Sequence, residues 1–173
     1  GQITTTDLTI SLPPTLNFEP FGAYSKIAAV ERHHNTGKIG VAVAKGYGIR
    51  NGAVASSVSH DSHNIIVIGD NDADMAIAVN EIIRTQGGYT VVENGKVYET
   101  LALPIMGLMS DAGFENVNEA LQRMIQKAHQ MGVASKIDPF VTLSFLALPV
   151  IPELRITPRG ICKMTAKGPA IVS

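Results

Sequence analysis

The chain has 173 residues, one cysteine and a formal net charge of −1 at pH 7. This length fits one domain with a sizeable core, and the single cysteine excludes an internal disulfide framework and fits a reducing compartment such as the cytoplasm. The balanced charge gives no basic field for a nucleic-acid backbone, and no Lys/Arg-rich run suits a membrane surface.

Residues 1–25 predict an N-terminal arm, or a link to a preceding domain. They are rich in Thr and Pro, with one short strand predicted around residues 8–10. No signal peptide is visible. The chain opens on Gly1 instead of methionine and this strand lies close to its start, which indicates a piece of a longer protein. The folded domain is expected to cover residues 26–173.

Strands dominate the next part of the chain, before a first helix. Asp70 or Asn71 caps this helix, and Gly87 and Gly88 end it. The last strand before it is an apolar run that we expect to be covered on both faces. The strands are predicted at 26–33, 39–44, 53–60 and 64–69.

The second half predicts a hairpin, a second helix and further strands. Asn94 and Gly95 suit a type I′ turn in a hairpin over 89–103, and apolar residues spaced three and four apart predict a helix over 115–131. Between them, "LPIMGLMSDAG", which includes Met106 and Met109, predicts core packing that leads to a helix cap. Three strands are predicted to follow, a buried one at 139–148 and short ones at 153–157 and 160–164.

The order of these elements favours an α+β fold. Strands cluster before and after each helix instead of alternating with it, which favours mixed or antiparallel sheets over a doubly wound parallel sheet. Two long helices can cover only part of so many apolar strands. We therefore predict two stacked sheets flanked by two long helices, a layered α/β sandwich.

The polar stretch "HDSHN" interrupts two strand patterns. On a straight strand His60, Ser62 and Asn64 would share one face while Asp61 and His63 faced the other way, so the two imidazoles could share neither a proton nor a metal. If the stretch bends, the histidines converge, with Asp61 as their orienting carboxylate. The hydrophilic gap favours the bend. An alternative is that these side chains only satisfy backbone groups at a turn.

A second polar cluster, "ERHHNTGK", begins at the end of the strand predicted over 26–33. Strand alternation puts Glu31 and His33 on one face and Arg32 and His34 on the other. The alternative is an exposed strand end with solvated charges. The two clusters hold four of the five histidines, which a shared polar site would produce, although the sequence alone does not show that they meet.

Several long strings resemble the C-terminal domain of adenine deaminase. They are "ERHHNTG", "SHDSHNI", "QGGYTVVENGKV", "LPIMGLMSD" and "FLALPVIPELRIT", and the resemblance runs from about Lys26 to Thr157. It implies a hydrolase of purine metabolism that breaks a cyclic amidine C–N bond, converting adenine and water to hypoxanthine and ammonia. It also implies manganese or iron in a (β/α)₈ barrel that precedes this domain, where the metal activates a water molecule.

From this resemblance we expect "HDSHN" to turn its side chains toward the barrel or a neighbouring subunit. The catalytic residues would be His60, His63 and Asp61, with the histidines handling protons or purine nitrogens. The substrate-binding residues would be Ser62, Asn64, Glu31 and His33. The barrel's metal-binding histidine motifs are absent from these 173 residues, so we expect the isolated chain to bind no metal and to be inactive. We also expect a homo-oligomer.

Two other functions remain open at this point. The domain could be a docking or oligomerisation module with a purely structural polar cluster and no catalytic groups of its own. It could also be a free-standing metallohydrolase, which would need a third ligand that the sequence does not clearly place beside the two histidines.

Overall fold

The computed structural model describes Phe18 and residues 22–172, which form two antiparallel sheets and three α-helices. In chain order the elements are β1 (Tyr24–Val30), β2 (Ile39–Lys45), β3 (Gly52–Ser56), β4 (Ile65–Gly69), α1 (Asp72–Arg84), β5 (Gly88–Glu93), β6 (Lys96–Ala102), α2 (Phe114–Gln130), α3 (Pro139–Leu146), β7 (Leu154–Thr157), β8 (Gly160–Thr165) and β9 (Gly168–Ile171).

The larger sheet has six strands in the order β2-β1-β4-β3-β5-β6, and every neighbouring pair is antiparallel. Its central strands β3 and β4 are buried along their whole length, which suits their small and β-branched residues. The hairpin between β5 and β6 turns at Asn94 and Gly95, whose φ angles of 49° and 77° confirm the predicted type I′ turn.

Helix α1 covers one face of this sheet. Asn71 is its N-cap, and its side chain accepts a hydrogen bond from the Asp74 amide, as the capping prediction requires. Met75, Ala78 and Ile82 of α1 pack with sheet residues such as those of β3 and β4 in one apolar cluster.

The opposite face is covered by α2, α3 and the smaller sheet β7-β8-β9. Met124 from α2, Leu143 from α3 and Ile156 from β7 are buried in one core with residues of the larger sheet. The small sheet stacks on β1 and β2. These layers confirm the α+β prediction and its two stacked sheets, with three helices in place of two.

Residues 139–148 are the main correction, because most of the predicted buried strand is helix α3. The Asp138 carboxylate accepts from the amides of Phe140 and Val141, and Pro139 occupies the first helical turn. These two features start a helix despite β-branched and aromatic residues that favour strands. Strand β9 was not predicted.

Strands β1 and β3 end earlier than predicted, at Val30 and Ser56. The antiparallel pairing places the loops after these two strands and the loop after β6 at one end of the larger sheet, which we call the loop end. The predicted strand at 8–10, and most of the predicted arm over 1–25, lie outside the described residues. Among residues 22–172, none of the helices has the length and apolar content needed to cross a membrane.

Candidate functional site

The "HDSHN" stretch bends at the loop end, as predicted. The His63 amide donates to the Ser59 carbonyl at 2.6 Å, and His63 has a φ of 49°. The rings of His60 and His63 lie 5.8 Å apart between centroids, at an interplanar angle of 67°. The two imidazoles therefore share one side of the turn.

His60 stands over helix α3. Its amide donates to the Ser144 carbonyl at 3.2 Å, and its ring lies 5.4 Å from the ring of Phe145. Its Nδ1 is 3.8 Å from the carboxylate of Asp61, which is too long for a hydrogen bond. Within the described residues neither ring nitrogen of His60 has a hydrogen-bond partner, and the side chain is 38% exposed.

The ring of His63 is held in one orientation. Its Nδ1 accepts from the Ser59 amide at 3.4 Å, so the neutral ring carries its proton on Nε2. Burial lowers the pKa of His63, and the neighbouring His60 and Arg32 lower it further. His63 is therefore neutral near pH 7 and presents an N–H donor.

His33 joins the two polar clusters. Its Nε2 donates to the Ser62 carbonyl at 2.6 Å, because a carbonyl oxygen can only accept. The proton on Nε2 leaves Nδ1 of the neutral ring as an acceptor. Three imidazoles from two distant segments therefore lie around one turn, which the sequence alone does not show.

Glu31 folds the loop that carries His33. Its carboxylate accepts from the amides of His33, His34 and Thr36 and from the Thr36 hydroxyl. These bonds, led by that of the Thr36 amide, lower the pKa of Glu31 from 4.5 to about 2. The side chain points into its own loop and fixes the approach of His33.

Asn64 is buried and fastens the turn to the end of β1. Its Oδ1 accepts from the Arg32 amide at 3.1 Å, and its Nδ2 donates to the Ser62 hydroxyl at 3.1 Å. Ser62 and Asp61 are exposed. Of the predicted site residues, Asn64 and Glu31 thus hold the loops, while Asp61, Ser62 and the three imidazoles form the accessible surface.

Arg32 is the residue that sequence reasoning missed. Its Nε donates to the His63 carbonyl and its Nη2 donates to the Met106 carbonyl at 2.8 Å. Alternation had assigned Arg32 to the face opposite His33, but β1 ends two residues earlier and the rule no longer applies. No motif in the sequence would have found this contact.

The loop from 104 to 109, which we call the Met loop, borders the histidines. The prediction of core packing there is wrong, because Met106 and Met109 are 76% and 54% exposed. The loop meets the sheet through its backbone, since the buried Ser57 hydroxyl donates to the Gly107 carbonyl at 2.6 Å. Helix α2, which follows, has Gly113 at its N-cap position and no side-chain cap.

The histidines do not form a metal site in the part of the chain that the structure describes. No three His, Cys, Asp or Glu side chains there are arranged to hold an ion. His63 Nδ1 and His33 Nε2 are both engaged with main-chain groups, so each of these two rings has one nitrogen left for another contact.

The family described as "Adenine deaminase C-terminal domain" matches residues 2–167. The chain belongs to this family. Adenine deaminase from Desulfitobacterium hafniense is 51% identical over 162 residues, which cover 93% of this chain and 28% of that protein. Adenine deaminases from Nitratidesulfovibrio vulgaris (strain DP4) and Bacillus subtilis are 52% and 43% identical, covering 83% and 93% of this chain and 25% and 28% of those proteins.

The resemblance to the adenine deaminase C-terminal domain is thus confirmed over most of the chain. The chain spans only about a quarter of the length of these curated relatives. The histidine turn at 60–64, the Glu31 loop and the Met loop all lie inside the matched region.

Proposed function

We propose that this chain serves as the C-terminal domain of an adenine deaminase, whose reaction converts adenine and water to hypoxanthine and ammonia. In this proposal the loop end of the larger sheet completes or covers the active site. The observation that carries it is the convergence of His60, His63 and His33, which offer ring nitrogens to the outside from two distant segments.

The imidazoles suit a purine in their hydrogen-bonding roles. His63 offers a donor at Nε2 and His33 offers an acceptor at Nδ1, which match the ring nitrogens and the amino group of adenine. His60, with both nitrogens open, is the group that we assign to proton transfer during loss of ammonia. Asp61, whose carboxylate lies 3.8 Å from Nδ1 of His60, is the group that we assign to orient that ring.

The other predicted site residues either contact the substrate directly or support the loops that surround it in this proposal. The Ser62 hydroxyl contacts the substrate directly. Asn64 and Glu31 contribute to substrate binding indirectly, because they hold in place the loops that carry the histidines. Glu31 therefore governs where His33 lies, because its carboxylate accepts hydrogen bonds from the main-chain amides of His33, His34 and Thr36.

The metal on which the deaminase depends belongs, in this proposal, to the part of the enzyme outside this chain, with manganese or iron as the ion. A bound metal of this kind lowers the pKa of a water molecule and so supplies the hydroxide for hydrolysis. The role of residues 60–64 is to position the purine and move its protons. We also propose a cytoplasmic location, which the buried free Cys162 supports. The proposal includes assembly into an oligomer.

The test uses His60→Ala and His63→Ala in a full-length adenine deaminase that carries this domain. We expect His60→Ala to lower kcat by about 10²–10⁴, the usual contribution of a general acid or base. His63→Ala should mainly raise KM. His129→Ala is the matched control, because His129 lies at the end of α2 and bonds the Val133 carbonyl. Wild-type turnover and affinity in both site variants would refute the proposal.

A structural docking module is the second candidate function, favoured by the many polar atoms that bond within the loops. Glu31 and Asn64 make their hydrogen bonds inside the chain. In that case the His60 and His63 variants would lower the melting temperature of the domain while kcat and KM of the folded enzyme stayed unchanged. Values of kcat and KM measured below the melting temperature therefore distinguish the two functions.

A further inference from the structure

The Met loop, residues 104–109, is an exposed apolar surface beside the histidines. We infer that it is the site where the remaining part of the adenine deaminase polypeptide docks on this domain, with Met106 as the anchor. This inference rests on the proposed function, since it names the partner of the same surface.

The loop displays its side chains on a rigid frame. Ile105 and Met109 form an isolated bridge, and the Leu108 amide also donates to the Ile105 carbonyl at 3.1 Å. Ser57 and Arg32 then fasten the loop to the body through the carbonyls of Gly107 and Met106. A surface that is already ordered loses little entropy when a partner binds.

The exposure of the loop fits an interface. Ile105, Met106 and Met109 are 44%, 76% and 54% exposed. Residues 100–110 contain no ionisable side chain, so the loop brings no charge of its own into an interface, and the neighbouring Arg32 guanidinium is already bonded to the Met106 carbonyl. Contiguous apolar surface of this kind marks interaction sites, and methionine adapts well to a partner's shape.

We assign the rest of the same polypeptide as the occupant, because the relatives extend far beyond the matched region. About three quarters of each relative lies outside the region that this chain matches. The Met loop is also continuous with the histidine turn, because one guanidinium, that of Arg32, bonds the carbonyls of both Met106 and His63. A domain that docks on the loop is thereby held at the histidines.

Methionine oxidation tests this docking without any substitution. The 173-residue chain and a full-length deaminase that carries it are treated with dilute hydrogen peroxide, and sulfoxide formation is followed by peptide mass spectrometry. We expect Met106 and Met109 to react roughly tenfold more slowly in the full-length enzyme at any enzyme concentration. Met124, which is fully buried, is the internal reference and reacts slowly in both.

Three results would overturn the inference. Equal reactivity of Met106 in the two proteins would mean that nothing covers the loop. Protection that disappears on dilution would assign the surface to a second copy of the chain. Protection that needs added adenine would assign it to the substrate.

A substitution that introduces a charge tests whether docking at the Met loop matters for activity. Met106→Glu should lower full-length activity roughly tenfold by placing a carboxylate in the interface, and leave the melting temperature of the 173-residue chain unchanged. Val141→Glu is the matched control, since Val141 is 50% exposed near the start of α3. If Met106 is protected while the histidine variants stay active, docking stands and the catalytic proposal fails. If Met106 stays reactive while those variants are inactive, the opposite holds.

Discussion

Arg32 and Met106, 74 residues apart in the sequence, are joined by a 2.8 Å hydrogen bond from Nη2 to the Met106 carbonyl. Nε of the same guanidinium donates to the His63 carbonyl, and the Arg32 amide donates to Asn64. Burial lowers the pKa of Arg32, yet a guanidinium stays charged at any physiological pH. One side chain therefore ties three loop segments into a single surface.

Replacement of Arg32 by lysine should loosen this surface. A lysine has one nitrogen at its tip and cannot reach both carbonyls with the planar geometry of a guanidinium. We expect Arg32→Lys to lower the free energy of unfolding by about 1–3 kcal/mol, measured by urea denaturation. Arg84→Lys is the control, because the Arg84 side chain is 70% exposed and its replacement should change stability by less than about 1 kcal/mol. Equal losses in both variants would contradict the role of Arg32.

Gly107 allows the Arg32 guanidinium to lie close to the Met loop. A Cβ atom at Gly107 would lie 2.6–2.8 Å from the Arg32 guanidinium, and the residue has a φ of 76°. Gly107→Ala should therefore displace Arg32 in addition to the backbone strain of about 1–2 kcal/mol. Gly46→Ala carries similar strain, at a φ of 89°, with open space around it. The prediction fails if thermal unfolding gives the two alanine variants the same loss of stability.

The pKa of His63 reports the arrangement of the turn. It lies below the ordinary value of 6.5, first because of burial and next because of His60. His60→Ala should raise the pKa of His63 in an NMR titration, without restoring it fully, because burial remains. His34→Ala is the control and should leave it unchanged.

The same shift sets a direction for stability. Between the lowered folded pKa and 6.5 the unfolded chain binds more protons at His63 than the folded chain does. The contribution of His63 to stability is therefore complete above pH 6.5 and is lost as the pH falls through its folded pKa. His63→Ala should reduce this loss between pH 7 and 5 in urea denaturation, and an unchanged pH dependence would contradict the assignment.

The fold was predictable where local chemistry and periodicity agree. The Asn71 cap, the Asn94-Gly95 turn and the apolar spacing of α2 each follow from a short stretch of sequence. Helix α3 was misread because its apolar residues fit a strand by composition. Asp138 followed by Pro139 was the available start signal for a helix, and it outweighs composition in the structure.

The candidate site was predictable in its residues but not in its construction. The polar gap in "HDSHN" indicated the bend, which brings His60 and His63 together. The meeting of His33 with this turn depends on pairing of β1 with β4, a long-range contact that sequence periodicity does not encode. The contact of Arg32 with the Met loop depends on the same assembly, so it too required the structure.

Glu31→Gln tests whether the Glu31 carboxylate organises the loop. One carboxylate oxygen accepts from the amides of His33 and His34, and the other accepts from the amide and hydroxyl of Thr36. A glutamine has only one acceptor oxygen, so either orientation loses one pair of bonds. We expect several-fold faster amide hydrogen exchange at Thr36, or at His33 and His34.

The pH dependence of this effect has a definite sign, because the pKa of Glu31 falls from 4.5 to about 2 on folding. Its contribution to stability is therefore present above pH 4.5 and lost as the pH falls toward 2. The difference in unfolding free energy between the wild type and Glu31→Gln should be largest at pH 7 and shrink below pH 4.5. Glu119→Gln, at an exposed carboxylate 4.0 Å from Arg123, is the control and should change stability by less than about 0.5 kcal/mol. A Glu31→Gln difference that is constant from pH 7 to 3 would mean that the carboxylate does not hold the loop through its charge.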